Sequence, residues 1–149
     1  MSKKKICAVV TARPSYSRIK TALLAIKEHP KLELQLVVAG SALLDRYGSA
    51  IDFIESDGFT IDEQVFTVLE GENPTSMAKT TGLAVMELAG VFYNLKPDAV
   101  ITIADRFETI ATSIAAVGAL AFLFVISQSV GAIGVSQSGS LLYQDQEIQ

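Results

Sequence analysis

The sequence predicts an α/β fold, a Rossmann-like parallel sheet with helices on both faces. Two observations predict it. Short apolar runs of strand type alternate with longer segments whose apolar residues recur at helical spacing. The first of the short runs, Ile6 to Val10, is apolar throughout, as strands buried on both faces are. The chain has 149 residues, enough for one domain with its own core and too few for two.

Ile6 to Val10 is expected as a central first strand. From Ser17 onward Ile19, Leu23 and Ile26 mark a first helix that Pro30 closes, with Ser17 suited to its N-cap. Leu32 to Val38 reads as a second strand ending at the Gly40-Ser41 turn. A short helix over Ala50 to Glu55 stops at Asp57-Gly58. Phe59 to Phe66 reads as a third strand, and Asp62 and Glu63 suit a sheet edge. Thr75 to Leu95 is a long helix with Leu88, Val91, Phe92 and Leu95 on one stripe, ended by Pro97. Ala99 to Ile103 is a fourth strand, Thr109 to about Val117 a helix, and Leu120 to Ile126 a fifth strand. Residues 114–126 are apolar for about a dozen positions, short of the ~20 that a membrane span needs, so a buried helix end followed by a buried strand is expected there and no membrane contact.

Composition narrows the function. Half of the residues are apolar, 19% are charged and the net charge is −4, the balance of a folded domain with no basic patch for nucleic acid. The run Lys3-Lys4-Lys5 reads as a solvated start to the first strand. Cys7, the single cysteine, falls inside an apolar run and reads as a buried hydrophobe; a reducing, cytoplasmic setting fits, and a cysteine-rich metal site is excluded. His29, the single histidine, is expected to face solvent at a helix end, so a histidine-rich metal site is excluded too. No charged start followed by an apolar, small-residue cleavage segment marks a signal peptide.

Ligands of open parallel sheets bind beyond the carboxyl ends of the strands. Three loops are placed there. Thr11-Ala12-Arg13-Pro14-Ser15-Tyr16-Ser17 offers a guanidinium and helix-start amides to an anion, although Arg13 as plain surface charge fits equally. Gly40-Ser41-Ala42 offers close backbone approach and one hydroxyl, or is simply a turn. Ala104-Asp105-Arg106-Phe107-Glu108 sets an acid beside a base, suited to proton transfer and anion binding or, locally, to a surface ion pair and a helix-start acid. Neither a P-loop nor the three-glycine dinucleotide fingerprint is present, and no cofactor is expected.

These loops together give the sequence a specific likeness. Val9-Val10-Thr11-Ala12-Arg13-Pro14-Ser15-Tyr16-Ser17-Arg18, Leu36-Val37-Val38-Ala39-Gly40-Ser41, Glu70-Gly71-Glu72-Asn73-Pro74 with Met77-Ala78-Lys79, Lys96-Pro97-Asp98 and Asp105-Arg106-Phe107-Glu108 resemble the UDP-N-acetylglucosamine 2-epimerases of the hydrolysing type, in order and spacing, over residues 4 to 116. The resemblance implies one half of a GT-B-like pair of Rossmann-like domains with a UDP-sugar between them, converted to UDP and N-acetylmannosamine through elimination and hydration. Carried onto this sequence it implies Arg13, Ser17 and Arg106 as nucleotide contacts and Asp105 as catalytic acid/base; Glu108 lies in the motif without a role.

After strand five the family continues into a His-Ile-Gln/Glu-Gly-Gly-Glu segment, where this chain reads Val125-Ile126-Ser127-Gln128-Ser129-Val130. No Lys or Arg follows Arg106. Residues 1–126 are therefore expected to form the epimerase-type domain and residues 127–149 an atypical tail of truncated or frame-shifted origin. An isolated chain without the C-terminal domain is expected to be inactive and to self-associate as a homo-oligomer. The rival expectation is a non-catalytic nucleotide- or partner-binding module.

Overall fold

The computed structural model describes residues 2–71, 73–104, 107–119, 121–127, 132–135 and 141–142. Strands β1 (Lys4–Val10), β2 (Leu32–Ala39), β3 (Glu63–Val65), β4 (Ala99–Ala104), β5 (Phe122–Ser127), β6 (Ala132–Val135) and β7 (Leu141–Leu142) form one sheet in the order β3-β2-β1-β4-β5-β6-β7. The first five in that order pair in parallel. Helices α1 (Arg13–Glu28), α2 (Ile51–Ser56), α3 (Pro74–Leu95) and α4 (Glu108–Gly118) lie between them in sequence. The expected Rossmann-like α/β sheet is thus present. β6 and β7, which hydrophobic pattern did not single out, extend it in antiparallel fashion.

Successive residues of a strand face opposite sides, and the core divides accordingly. Ala8 and Val10 of β1 join Leu36 and Val38 of β2 under α1 and α2, with Ile19, Leu23 and Ile54. Cys7 and Val9 join Val37 and Val100 under α3 and α4, with Leu88, Phe92 and Ala115. The stripe predicted on the long helix packs here, Val91 and Leu95 at its margin. Cys7 is fully buried, and burial pushes its thiol up to about 12, which fits the inert, hydrophobic role expected of it.

Polar contacts set the ends of the elements. Lys5 donates its backbone N–H to Asp98 Oδ2 at 2.8 Å, Asp98 returns its own N–H to the Lys5 carbonyl, and Lys4 Nζ adds an exposed ion pair at 2.8 Å. The Lys-Pro-Asp motif therefore fastens the start of β4 to that of β1. Asn73 caps α3 through a reciprocal box with Ser76. At the other end Lys96 takes the left-handed conformation, φ 48°, and Pro97 prevents continuation. Exposed His29 ends α1, as expected, at the end opposite the strand carboxyl termini.

Three expectations need correction. Ser17 is not an N-cap: α1 begins a turn earlier at Arg13, because Pro14 fits the first turn of a helix, and Ala12 occupies the cap without a side-chain bond. The third strand spans only Glu63–Val65, since Phe59 turns into the core and the Asp62 side chain accepts from Leu36 N–H where a longer strand would pair. Glu108 does begin α4, as the helix-start acid the sequence offered, and it is buried there. The apolar end of α4 is buried only on one side: Ala115 and Ala116 are in the core, whereas Ile114 and Val117 are more than half exposed. A helix apolar all round must leave one face uncovered unless a second layer lies above it. Among the described residues no helix is long and apolar enough to cross a membrane.

Candidate functional site

The strand order reverses between β1 and β4, and chains leave these two strands toward opposite faces of the sheet. A crevice opens at such a switch point beyond the carboxyl ends. The loops after β1 and β2 and the start of α4 meet there.

The loop after β1 and the loop after β2 are joined through one buried carbonyl. Thr11 O accepts from Ser41 Oγ at 2.9 Å and from Ala42 N–H at 3.0 Å. Gly40 has φ +60°, and a Cβ there would stand 3.7 Å from Glu108 Oε1. The buried carboxylate thus lies against the Gly40 backbone, tying the β2 loop to the start of α4. Thr109 Oγ1 donates to the Ile103 carbonyl at 2.7 Å, holding α4 against the end of β4. Asp105 and Arg106, between these anchors, lie outside the described residues.

Arg13 opens α1 at the rim of this crevice, exposed, with its guanidinium 4.2 Å over the Phe53 ring. Ser17 follows one turn later on the same face, also exposed. The first turn of α1 has no side-chain cap, which leaves its end suited to an anion.

A cavity of about 210 Å³ lies beside these loops, lined among others by Ser41, Tyr47, Ser76, Thr80, Phe107 and Glu108. Its Thr80 hydroxyl accepts from Leu69 N–H at 3.0 Å, which fixes the loop after β3. Arg46 edges the cavity and stacks on Tyr47 at 5.0 Å. One carboxylate, several hydroxyls and a cationic edge suit a polyhydroxylated, anionic ligand. The volume is below the ~300 Å³ of a small-ligand site, so it accommodates part of one. Among the described residues no group of acids, cysteines and histidines is arranged to hold a metal.

Sequence reasoning missed Arg46, Tyr47, Ser76 and Thr80. A signal existed for two of them: Ser76 and Thr80 continue the buried stripe of Ala84, Leu88 and Phe92, which turns from apolar to hydroxyl-bearing where the helix nears the crevice. Arg46 and Tyr47 carry no comparable periodicity.

The fold and crevice define an α/β domain of the Rossmann-like, GT-B class. Residues 24–120 match the family described as UDP-N-acetylglucosamine 2-epimerase, and the chain belongs to that family. It is 31% identical over 113 residues to a GDP/UDP-N,N'-diacetylbacillosamine 2-epimerase (hydrolyzing) of Campylobacter jejuni, covering 76% of this chain and 29% of that protein. It is 28% identical to a UDP-N-acetylglucosamine 2-epimerase of Neisseria meningitidis, covering 78% and 30%. The chain therefore spans less than a third of the length of these curated relatives. A solved UDP-N-acetylglucosamine 2-epimerase superposes with a TM-score of 0.71 at 20% identity, over 83% of this chain and 33% of its own. The Neisseria meningitidis enzyme bound to UDP-GlcNAc superposes with a TM-score of 0.67 at 20% identity, over 82% and 32%.

Proposed function

We propose that the crevice at the β1/β4 switch point binds the nucleotide end of a UDP-amino sugar and forms one wall of a site for 2-epimerisation with release of UDP. The convergence of the Arg13–Ser17 face, the Gly40-Ser41 loop and the start of α4 supports this most strongly. In this reading Arg13 and Arg106 hold the diphosphate, Ser17 donates to it, and Asp105 moves the proton on the sugar. Loss of UDP from the anomeric carbon takes the C2 proton with it and leaves a glycal; water then adds with a proton returned to the opposite face of C2. The basic contacts stabilise the departing diphosphate as its negative charge grows.

The sheet described here supplies one side of such a cleft, so the 149-residue chain alone is proposed to bind UDP without turnover. Residues 1–126 are the proposed binding domain, and within residues 127–149 β6 and β7 continue its sheet. A cytoplasmic setting and a homo-oligomer complete the reading.

A coupled assay of UDP release and N-acetylmannosamine formation on the purified chain, with Asp105→Asn alongside and UDP titrated calorimetrically, tests it. Saturable UDP binding without product supports the proposal. Turnover abolished in Asp105→Asn makes the chain catalytic by itself and overturns the one-wall reading. Absence of UDP binding at millimolar concentration removes the nucleotide assignment.

A further inference from the structure

The cavity of about 210 Å³ beside the crevice is lined by a buried carboxylate, Glu108, to which the nucleotide reading gives no task. The hydroxyls around it decide what the cavity can take, because each already holds a bond within the protein. Ser41 Oγ donates its one proton to the Thr11 carbonyl at 2.9 Å, so toward a ligand it can only accept. Ser76 Oγ donates to the Asn73 carbonyl and accepts the Asn73 N–H, and is closed by the cap of α3. Thr80 Oγ1 takes the Leu69 N–H.

Ser41 and Glu108 stand side by side across Gly40. With φ +60° and no side chain, Gly40 admits the carboxylate so closely that a Cβ there would lie 3.7 Å from Glu108 Oε1. Both side chains belong to buried residues, Ser41 4% and Glu108 3% exposed. A carboxylate accepts and has no proton to give, so this wall of the cavity is a pair of acceptors. The edge has the opposite character, with the Arg46 guanidinium exposed over the Tyr47 ring. Phosphate oxygens therefore suit the edge and are repelled by the wall, whereas hydroxyl and amide N–H groups suit the wall.

We infer that Ser41 and Glu108 determine specificity at this site: they accept from the hydroxyl or amide N–H donors of a neutral sugar ring and reject a sugar that carries a carboxylate. This rests on the reading of the crevice as a nucleotide site, in which the diphosphate stays at the cationic rim and the sugar points inward. A uronate brings oxygens that lack a proton toward Glu108. Like charges then meet where little water screens them, and the acceptor pair goes unmatched.

The test is calorimetric titration of the 149-residue chain with UDP, UDP-GlcNAc, UDP-glucose and UDP-glucuronate. The last two differ only at C6, where a carboxylate replaces a hydroxymethyl group. The chain is expected to bind UDP-GlcNAc at least about fivefold more tightly than UDP, and UDP-glucose at least about tenfold more tightly than UDP-glucuronate. Glu108→Gln keeps the shape, removes the charge and is expected to bring both ratios toward one. Glu108→Asp keeps the charge and is expected to keep the uronate penalty.

Equal affinity of the wild-type chain for UDP-glucose and UDP-glucuronate overturns the inference, and that comparison stands even where Glu108→Gln does not fold. So does a loss of the same factor for every ligand in Glu108→Gln, which makes Glu108 a support of the crevice alone. UDP bound without either preference removes this inference and leaves the nucleotide reading; UDP not bound at all removes both.

Discussion

The Arg13 guanidinium lies 4.2 Å above the ring of Phe53, so the first residue of α1 is held by a residue of α2 at the edge of the crevice. Phe53 is itself partly exposed and contributes little to the core. Its clearest role is to keep a long, flexible cation aimed in one direction. Arg13→Ala is expected to weaken UDP binding by at least about tenfold, the scale of a lost charge-assisted hydrogen bond, and Phe53→Ala by about two- to fivefold through lost pre-organisation. Calorimetric titration of UDP into each variant checks both, and equal losses would show that Phe53 does more than orient Arg13.

Gly48 supports the same arrangement from the other side. Its φ is +70°, and a Cβ there would lie 2.9 Å from Arg13 Nη1. The side chain can swing away, but the backbone conformation remains unfavourable for an L residue. Gly48→Ala is expected to cost about 1–2 kcal/mol in urea unfolding and also to weaken UDP binding as Arg13 leaves Phe53. Loss of stability with UDP affinity intact would separate Gly48 from the site.

Lys96 holds the left-handed C-cap position of α3 with φ 48°. Glycine reaches that conformation without a Cβ penalty. Lys96→Gly is expected to stabilise the chain by about 0.5–1 kcal/mol, read as a higher urea midpoint at unchanged slope.

Asp57 accepts from the Tyr16 hydroxyl and pairs with Lys20 at 2.6 Å, and these bonds to Lys20 and Tyr16 hold its carboxyl below the usual range. Asp98 is lowered likewise by Lys4 and the Lys5 N–H. A carboxyl with a depressed folded pKa adds stability above its unfolded value of ~3.9, and that stability is lost as pH falls through the folded value. The thermal midpoint is therefore expected to drop below about pH 4, and less steeply in Asp57→Asn. An unaltered acid limb in that variant would place the acid sensitivity elsewhere.

Cys7 has the opposite sign at the other end of the scale. Desolvation is the main cause of its rise to about 12, with the Asp62 charge adding to it. Its contribution is complete below the unfolded value of ~8.5 and is lost as pH climbs through the folded one. A thiol reagent at pH 8 is expected to label Cys7 only as fast as the chain unfolds, and stability is expected to decline above about pH 8.5 less in Cys7→Ala than in wild type.

Where local pattern and tertiary packing agree, the sequence was sufficient. The continuous apolar run of β1, the Leu88–Phe92 stripe of α3 and the stop at Pro97 each follow from side-chain period or backbone chemistry within a few residues. The same holds for placing the Arg13 and Gly40 loops after strands, and for the motifs whose family the comparison with known proteins establishes. The chain's chemistry of turns and caps was legible less well, since Pro14 rather than Ser17 decided where α1 begins.

What only the tertiary structure decided is which loops touch and which faces stay bare. Strand order is a long-range property, so no local period shows that β1 lies between β2 and β4, or that the Glu108 carboxylate comes to rest against Gly40. Nor does hydrophobicity along α4 say which side is covered. Ala115 and Ile114 are adjacent and both apolar, yet one packs into the core and the other faces out, because the sheet covers a helix on one side only.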